Sequence, residues 1–356
     1  MLPRRSASLT EALAAVAPGR PLRDGLDRIL QASMGALIVV GDGPEVLDIC
    51  SGGFLLDAEF SPQRLSELAK MDGAIILAAD ATRIARANVH LVPDPHVFTS
   101  ETGTRHRTAE RVARSIDVPV ISVSEDRSVI AVYRNNAKHM LDPVPRLVAR
   151  ANQALQTLER YKVRMDAVER TLSEREVKDL VTVRDVATLL QRAEMVRRIA
   201  EEIDGYVVEL GVDSRLIFLQ LEELMAGVED DRRYVIRDYS RDPSTAHADD
   251  AIQRLAHFSD ERLLDLKEVA AILELVGADT QLDAGIQARG FRLLSKVPRV
   301  PESVVGHIVE RFGSLDKIMR ATLDDLDEVE GVGATRARAI RDGLSRLADA
   351  TIDHYS

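Results

Sequence analysis

Arg105, His106 and Arg107 stand in a row within ETGTRHRTAERVARS, the stretch from Glu101 to Ser115. Gly103 and Thr104 form a turn ahead of them. The residues behind read as a helix, with Ala109, Val112, Ala113 and Ile116 on one face. Two guanidinium groups and an imidazole at the positive end of a helix are electrostatically unfavourable unless an anion sits there. The free N–H groups of a first helical turn, the macrodipole and the guanidinium forks together suit a polyphosphate, with the hydroxyls of Thr104 and Thr108 on either side. A second stretch, Asp72-Gly73-Ala74, opens an apolar run 33 residues before Arg105. A carboxylate beside a glycine at a strand start can hold a metal or accept a proton, and the glycine lets backbone approach a ligand closely. Alone, the same pair is an ordinary Asp-Gly turn. A third stretch is VSEDRSV. There Ser124 ends an apolar run, Glu125 and Asp126 offer metal ligands, and Arg127 offers a partner for a base or a phosphate. A plain hairpin turn accounts for those residues equally well.

The scaffold around these side chains reads as α/β. GALIVVGD (35–42), VLDICSGGF, GAIILAAD (73–80) and VPVISVS (118–124) are short apolar runs of the kind buried strands show. SVIAVYRNN follows SEDR, which predicts a hairpin. SPQRLSELAKM (61–71) predicts a helix capped by Ser61 with Pro62 in its first turn. Residues 1–146 are therefore expected to form an α/β domain, a mixed central sheet flanked by helices. Residues 147–288 read as all-α, a helical spine or oligomerisation element. In it Ser173 and Glu176 have capping-box spacing, and a long amphipathic helix ends at Gly211, with Asp213 as a cap for the next.

Composition narrows the function classes. The chain has 356 residues, 45% hydrophobic but only 4% aromatic with no Trp, so its cores must be aliphatic. A net charge of −11 argues against broad nonspecific nucleic-acid binding, though not against a local module. One cysteine, Cys50, excludes an internal disulfide framework. The first residues lack the apolar run of a signal peptide, and no 18-residue apolar stretch occurs, so a cytoplasmic protein without a membrane span is expected.

Residues 289–356 read as two short all-α units in tandem. The second contains VEGVGATRARAI (329–340), where Gly331 and Gly333 allow a tight turn between helices and leave backbone N–H groups at a helix start. Arg336 and Arg338 follow at once. This segment carries 11 Lys/Arg and 11 Asp/Glu, so it is neutral while the remainder carries the whole negative charge. The motif resembles the helix-hairpin-helix module, which holds DNA backbone without reading bases, and implies DNA contacts from Gly331, Gly333, Arg336 and Arg338. KVPRVP (296–301) resembles a degenerate partner hairpin without the Gly-x-Gly.

The DGA and RHR stretches, with Ser124-Glu125 behind them, resemble the diadenylate cyclase domain. With the helical middle and the tandem hairpins, the whole chain resembles the bacterial DNA integrity scanning proteins. That resemblance implies condensation of two ATP molecules into cyclic di-AMP with release of two pyrophosphates, assisted by Mg²⁺ or Mn²⁺. It implies Asp72, Arg105, His106 and Arg107 as catalytic residues. Gly73, Ala74, Leu91, Gly103, Thr104, Thr108, Ser124 and Arg127 would join the RHR residues around the nucleotide. Leu91 would pack near adenine, and Asp72 with Glu125 would hold the metal. It further implies a homo-octamer with facing cyclase domains, and regulation by branched DNA such as Holliday junctions. Two other readings compete: a DNA-structure-binding scaffold using ATP only as a ligand switch, and an unrelated nucleotidyltransferase or nuclease carrying the same C-terminal module.

Overall fold

The computed structural model describes residues 6–275 and 281–352. The arginines at 4 and 5 in the stretch read for a signal peptide, part of the helical middle (276–280) and the last four residues of the C-terminal segment lie outside the described residues. The chain divides into two compact units, one of residues 1–155 and 202–220, the other of residues 156–201 and 221–356.

The first unit runs through α1 (Ala7–Ala15), α2 (Pro21–Gln31), β1 (Ala36–Val40), α3 (Pro44–Asp48), β2 (Cys50–Ser51), β3 (Phe54–Glu59), α4 (Pro62–Leu68), β4 (Ala74–Leu77), β5 (Arg83–Leu91), α5 (Thr104–Ser115), β6 (Val120–Ser124), β7 (Val129–Arg134) and β8 (Ala137–Met140). The strands form one mixed sheet in the order β2-β5-β4-β1-β6-β7-β8, with β3 also on β5. Only β1 and β4 run parallel; β1 pairs antiparallel with β6, and β6 with β7. The central strands are apolar without alternation because both faces are covered. Ile38, Ile75, Leu77, Ile121 and Val132 enter a core with α1, α2 and α4. Leu37, Val39, Ile76, Val120 and Tyr133 enter a second core with α5. Each fully buried Ile or Leu there contributes roughly 1.5–3 kcal/mol. The apolar face of α5 is Ala109, Val112, Ala113 and Ile116, all buried as its spacing predicts.

Two local expectations need correction. VLDICSGGF is not one strand. Gly43 and Pro44 start the short helix α3, and only Cys50 and Ser51 pair with β5 before Gly52 and Gly53 turn the chain with positive φ. Ser173 and Glu176 do not start a helix either. They lie inside α6 (Val144–Val177), a 34-residue helix, where Glu176 is buried and Ser173 half-buried. Helix α7 (Val183–Leu210) ends as expected at Gly211, whose φ is +52°. A 3₁₀ turn, Gly211–Ser214, then leads into α8 (Arg215–Met225). Helices α6, α7 and α8 each run through both units.

The second unit continues with α9 (Val228–Tyr239), α10 (Thr245–Ala256), α11 (Asp260–Leu264), α12 (Leu266–Ala271), α13 (Phe291–Ser295), α14 (Glu302–Phe312), α15 (Leu315–Arg320), α16 (Leu323–Asp327) and α17 (Ala334–Ile352). A buried ionic cluster fastens α13 to the longer helices. Asp238 on α9 accepts the N–H groups of Gly290, Phe291 and Arg292 at 2.7, 2.7 and 2.9 Å. The Arg292 side chain, fully buried, donates to Glu176 and to the Ser173 hydroxyl, and Tyr239 donates to Glu176. Lys296 pairs with Glu169. The Ser-x-x-Glu spacing thus marks partners for a buried arginine more than a hundred residues away.

Candidate functional site

Register brings the chemically suggestive stretches of the first unit to one end of the sheet. Leu37 of β1 lies opposite both Ala74 of β4 and Ser122 of β6, and Ala36 opposite Val123. One or two residues further on, Gly35, Asp72-Gly73 and Ser124 therefore emerge together. Ala74 is also opposite Val89 of β5, so Leu91 leaves at the same end; it is buried in the α5-side core beside Ile49 and Cys50. Gly73 has φ +103°, and a Cβ there would come within 2.8 Å of the Asn88 carbonyl carbon. The close backbone approach that Gly73 permits is thus one to β5.

Helix α5 begins at this end of the domain. Its N-cap is Gly103, which has no side chain to cap with, and its first turn contains no acidic residue. The helix takes in Thr104, which the sequence assigns to the turn. The first N–H groups of α5 have no intrahelical acceptors and no capping side chain, which leaves an electropositive end. The Arg105 guanidinium reaches back over Gly35, and its Nη2 lies 3.5 Å from Oδ1 of Asp72. The Asp72 side chain is 99% exposed, so this contact is weak and the carboxylate stays available. Arg107 and Arg127 are exposed, Thr108 is half-buried, and Ala74 is buried. Ser124 accepts the Arg127 N–H at 3.4 Å across the β6–β7 turn, and Glu125 and Asp126 lie exposed in that turn. The hairpin expected from SEDR is present, with Ser124 opposite Val129.

His106 is held differently from its neighbours. Its Nδ1 lies 2.8 Å from the Tyr133 hydroxyl, which donates to Oε1 of Glu101 at 3.1 Å. Lys138 donates to the same oxygen at 2.5 Å. Burial lowers the His106 pKa and outweighs the opposing pull of Glu101. Burial alone would raise Glu101, but Lys138 and Tyr133 hold its carboxyl below the usual range. Burial and the Glu101 charge push Tyr133 far up, so it stays protonated. The loop ahead of α5 is stapled to the helix. Buried Glu110 accepts from Thr99 and from the Ser100 N–H, while Arg111 and Arg114 donate to the carbonyls of Val97 and Phe98. Sequence reading passed over Gly35, Tyr133, Glu101 and Lys138. The one available signal was Tyr133 itself, an aromatic in an otherwise aliphatic strand.

No group of three or more His, Cys, Asp or Glu side chains that could hold a metal ion is present among the described residues. Isolated exposed carboxylates such as Asp72 and Glu125 do not make a closed cage. They fit Mg²⁺ or Mn²⁺ arriving with phosphates, the usual manner for a hard cation that keeps part of its shell from substrate and water. A separate cleft of about 680 Å³ beside the β7–β8 hairpin is lined by charges already paired within the protein, among them Arg150 with Asp142 and His139 with Glu209.

In the second unit, α16 and α17 form the expected hairpin. Val329 and Val332 are buried, while Gly331, with φ +80°, and Gly333 face outward. Arg336 donates to the Gly331 carbonyl at 2.5 Å, and Arg338 is exposed. The upstream turn repeats this backbone. Val297 is buried like Val329, and Arg299 has φ +67° where the second hairpin has Gly331. Val297 of the upstream turn packs against Gly343 in α17.

A mixed sheet followed by a long-helix region defines an α/β domain joined to a helical linker. Residues 23–138 match the family described as DisA bacterial checkpoint controller nucleotide-binding, and residues 141–282 match the DisA bacterial checkpoint controller linker region. The chain is 57% identical over 341 residues to the DNA integrity scanning protein DisA of Frankia alni, covering 96% of this chain and 95% of that one. It is 54% identical over 348 residues to that of Kineococcus radiotolerans, covering 97% and 96%, and 52% identical over 343 residues to that of Streptomyces coelicolor, covering 96% and 92%. The chain belongs to the DNA integrity scanning protein DisA family. No helix among the described residues is long and apolar enough to cross a membrane.

Proposed function

We propose that the first unit is a diadenylate cyclase that joins two ATP molecules into cyclic di-AMP. The observation that carries this reading is the uncapped, acid-free start of α5, with Arg105 reaching from it to Asp72. Thr104, Arg105, Arg107 and Thr108 would hold the triphosphate, with Gly103 and the first N–H groups of α5. Ser124 and Arg127 would add phosphate contacts, Gly73 and Ala74 would lie along the nucleotide, and Leu91 would border adenine. His106 would meet a phosphate oxygen.

Each 3′-oxygen forms a bond to the other nucleotide's α-phosphorus as the bond to that nucleotide's β-phosphate oxygen breaks. Two pyrophosphates leave, and each 3′-hydroxyl gives up its proton, which the exposed Asp72 carboxylate would accept. Such a transfer depends mainly on in-line positioning and charge neutralisation. Mg²⁺ or Mn²⁺, held by Asp72, Glu125 and the phosphates, would supply further neutralisation. A site that holds one ATP performs half of this reaction, so two copies must face each other; a homo-octamer with facing cyclase domains satisfies that need.

The second unit would bind branched DNA such as Holliday junctions through the Gly331–Gly333 turn, Arg336 and Arg338, and so regulate the cyclase as a checkpoint in the cytoplasm. The neutral charge of residues 289–356, with two exposed turns, suits modest, salt-sensitive, sequence-independent backbone contact. ATP- and metal-dependent pyrophosphate release, followed with and without a four-way DNA junction, tests both parts. Suppression by the junction in the full chain, lost on truncation before Arg289, is expected. Suppression that survives truncation would remove the DNA assignment, and no pyrophosphate release would remove the cyclase.

A further inference from the structure

The hydrogen bonds around His106 determine which of its nitrogens carries a proton. Glu101 is an ionised carboxylate paired with Lys138, so it can only accept. The Tyr133 hydroxyl has a single hydrogen, and at 3.1 Å from Oε1 of Glu101 that hydrogen must be donated there. Tyr133 is therefore an acceptor towards His106, and Nδ1 of His106 must be the donor at 2.8 Å. The opposite nitrogen, Nε2, is sealed from solvent and has no hydrogen-bond partner among the described residues. With Nδ1 already a donor, a proton on Nε2 would make a charged imidazolium with a buried N–H that has no acceptor, and burial of the ring disfavours that form. The free site thus holds neutral His106 with its one proton on Nδ1. The ring also faces the start of α5, because a Cβ at Gly103 would lie 3.6 Å from Cδ2, the carbon bonded to Nε2.

We propose that Tyr133 is a positioning residue that locks His106 in the Nδ1–H form, so that a phosphate oxygen reaching Nε2 is bound only together with a proton. The inference rests on the nucleotide-site reading above and adds its proton linkage. An anion must part the side chains over Nε2 to reach it, and a lone pair facing an oxyanion is repulsive until protonated. The charged and titratable groups acting on His106 are Glu101 with its partners Tyr133 and Lys138, together with Arg127 and Arg105. Glu101 favours the imidazolium, while Lys138, Arg127 and Arg105 oppose it; Lys138 is already paired with Glu101, and an anion would neutralise the two exposed arginines. Burial, which depresses His106, keeps it neutral beforehand.

Titration calorimetry on the full chain tests this, using α,β-methylene-ATP with Mg²⁺ in two buffers of different ionisation enthalpy. The wild type is expected to take up about one more proton per site than His106→Asn, which cannot titrate. Tyr133→Phe keeps the ring and frees His106 to adopt the neutral Nε2–H form, so it should bind the analogue with that uptake largely gone. Glu101→Gln is a second, milder variant. Its amide can donate to Tyr133, which then donates to Nδ1, and uptake should fall again. Binding by the wild type without extra uptake, or unchanged uptake in both Tyr133→Phe and Glu101→Gln, would overturn the proposal while leaving the nucleotide site intact. No binding by the wild type would instead overturn the site reading and this inference with it.

Discussion

The guanidinium of Arg105 lies over Gly35 so closely that a Cβ at position 35 would sit 2.2 Å from Nη1. Gly35 precedes β1 and Arg105 opens α5, so the bare backbone of one element makes room for the cationic side chain of the other. Gly35→Ala is expected to displace Arg105 and weaken ATP binding by tenfold or more, the loss of about 1.5–3 kcal/mol for one charged hydrogen bond. Calorimetric Kd values beside melting curves would check it. An unchanged Kd would show that Arg105 does not need this path.

Gly73 and Asp72 are neighbours with opposite roles. Gly73→Ala combines a φ of +103° with a Cβ only 2.8 Å from backbone of Asn88, so it should destabilise the first unit by about 1–3 kcal/mol. Asp72 is exposed and carries no structural burden, so Asp72→Asn should melt like the wild type. Parallel melting curves for the two variants decide this, and a large loss of stability in Asp72→Asn would contradict it.

The buried cluster of the second unit makes its stability depend on pH. Burial, and then the charge of Glu176, push Asp238 from the ordinary 3.8 up to about 7 despite its three backbone N–H partners. The folded state therefore binds a proton that the unfolded chain has released, and stability falls as pH rises through this window. Glu169 shifts downward, so its opposite effect lies at lower pH. Hydrogen exchange of α9 and α13 amides, corrected for intrinsic rates, should show less protection at about pH 8 than at about pH 6. Asp238→Asn should flatten that profile; a flat profile in the wild type would count against it.

For the DNA module, Arg338→Ala should weaken binding to all DNA sequences alike and lower the salt slope by about one. Arg336→Ala should do the same and also loosen the turn, since Arg336 holds the Gly331 carbonyl. Fluorescence anisotropy across a salt series measures both. Sequence-dependent losses would point to base contacts and contradict a backbone-binding hairpin.

The central strands were legible in the sequence because burial on both faces leaves uninterrupted apolar runs, as in β1 and β4. The strand β5, RIARANVHL, and the exposed strand β3 were not, because charged residues and a register shift blur their pattern. Ser61 and Pro62 announced α4 correctly, since a cap is local chemistry. Ser173 and Glu176 misled because their partner Arg292 comes from a distant helix. In the candidate site, Arg105, His106, Arg107 and Asp72 stood out by type and spacing. Gly35, Glu101, Tyr133 and Lys138 did not, since each matters through a contact that only folding creates.

The proposed chemistry joins two ATP molecules at the Asp72–Arg105 end of the sheet. Mass spectrometry of the products formed by the full chain with ATP and Mg²⁺ or Mn²⁺, beside Asp72→Asn, tests it most directly. Cyclic di-AMP from the wild type and little or none from a normally folded Asp72→Asn is the predicted result. No cyclic di-AMP from the wild type, or undiminished product from Asp72→Asn, would contradict it.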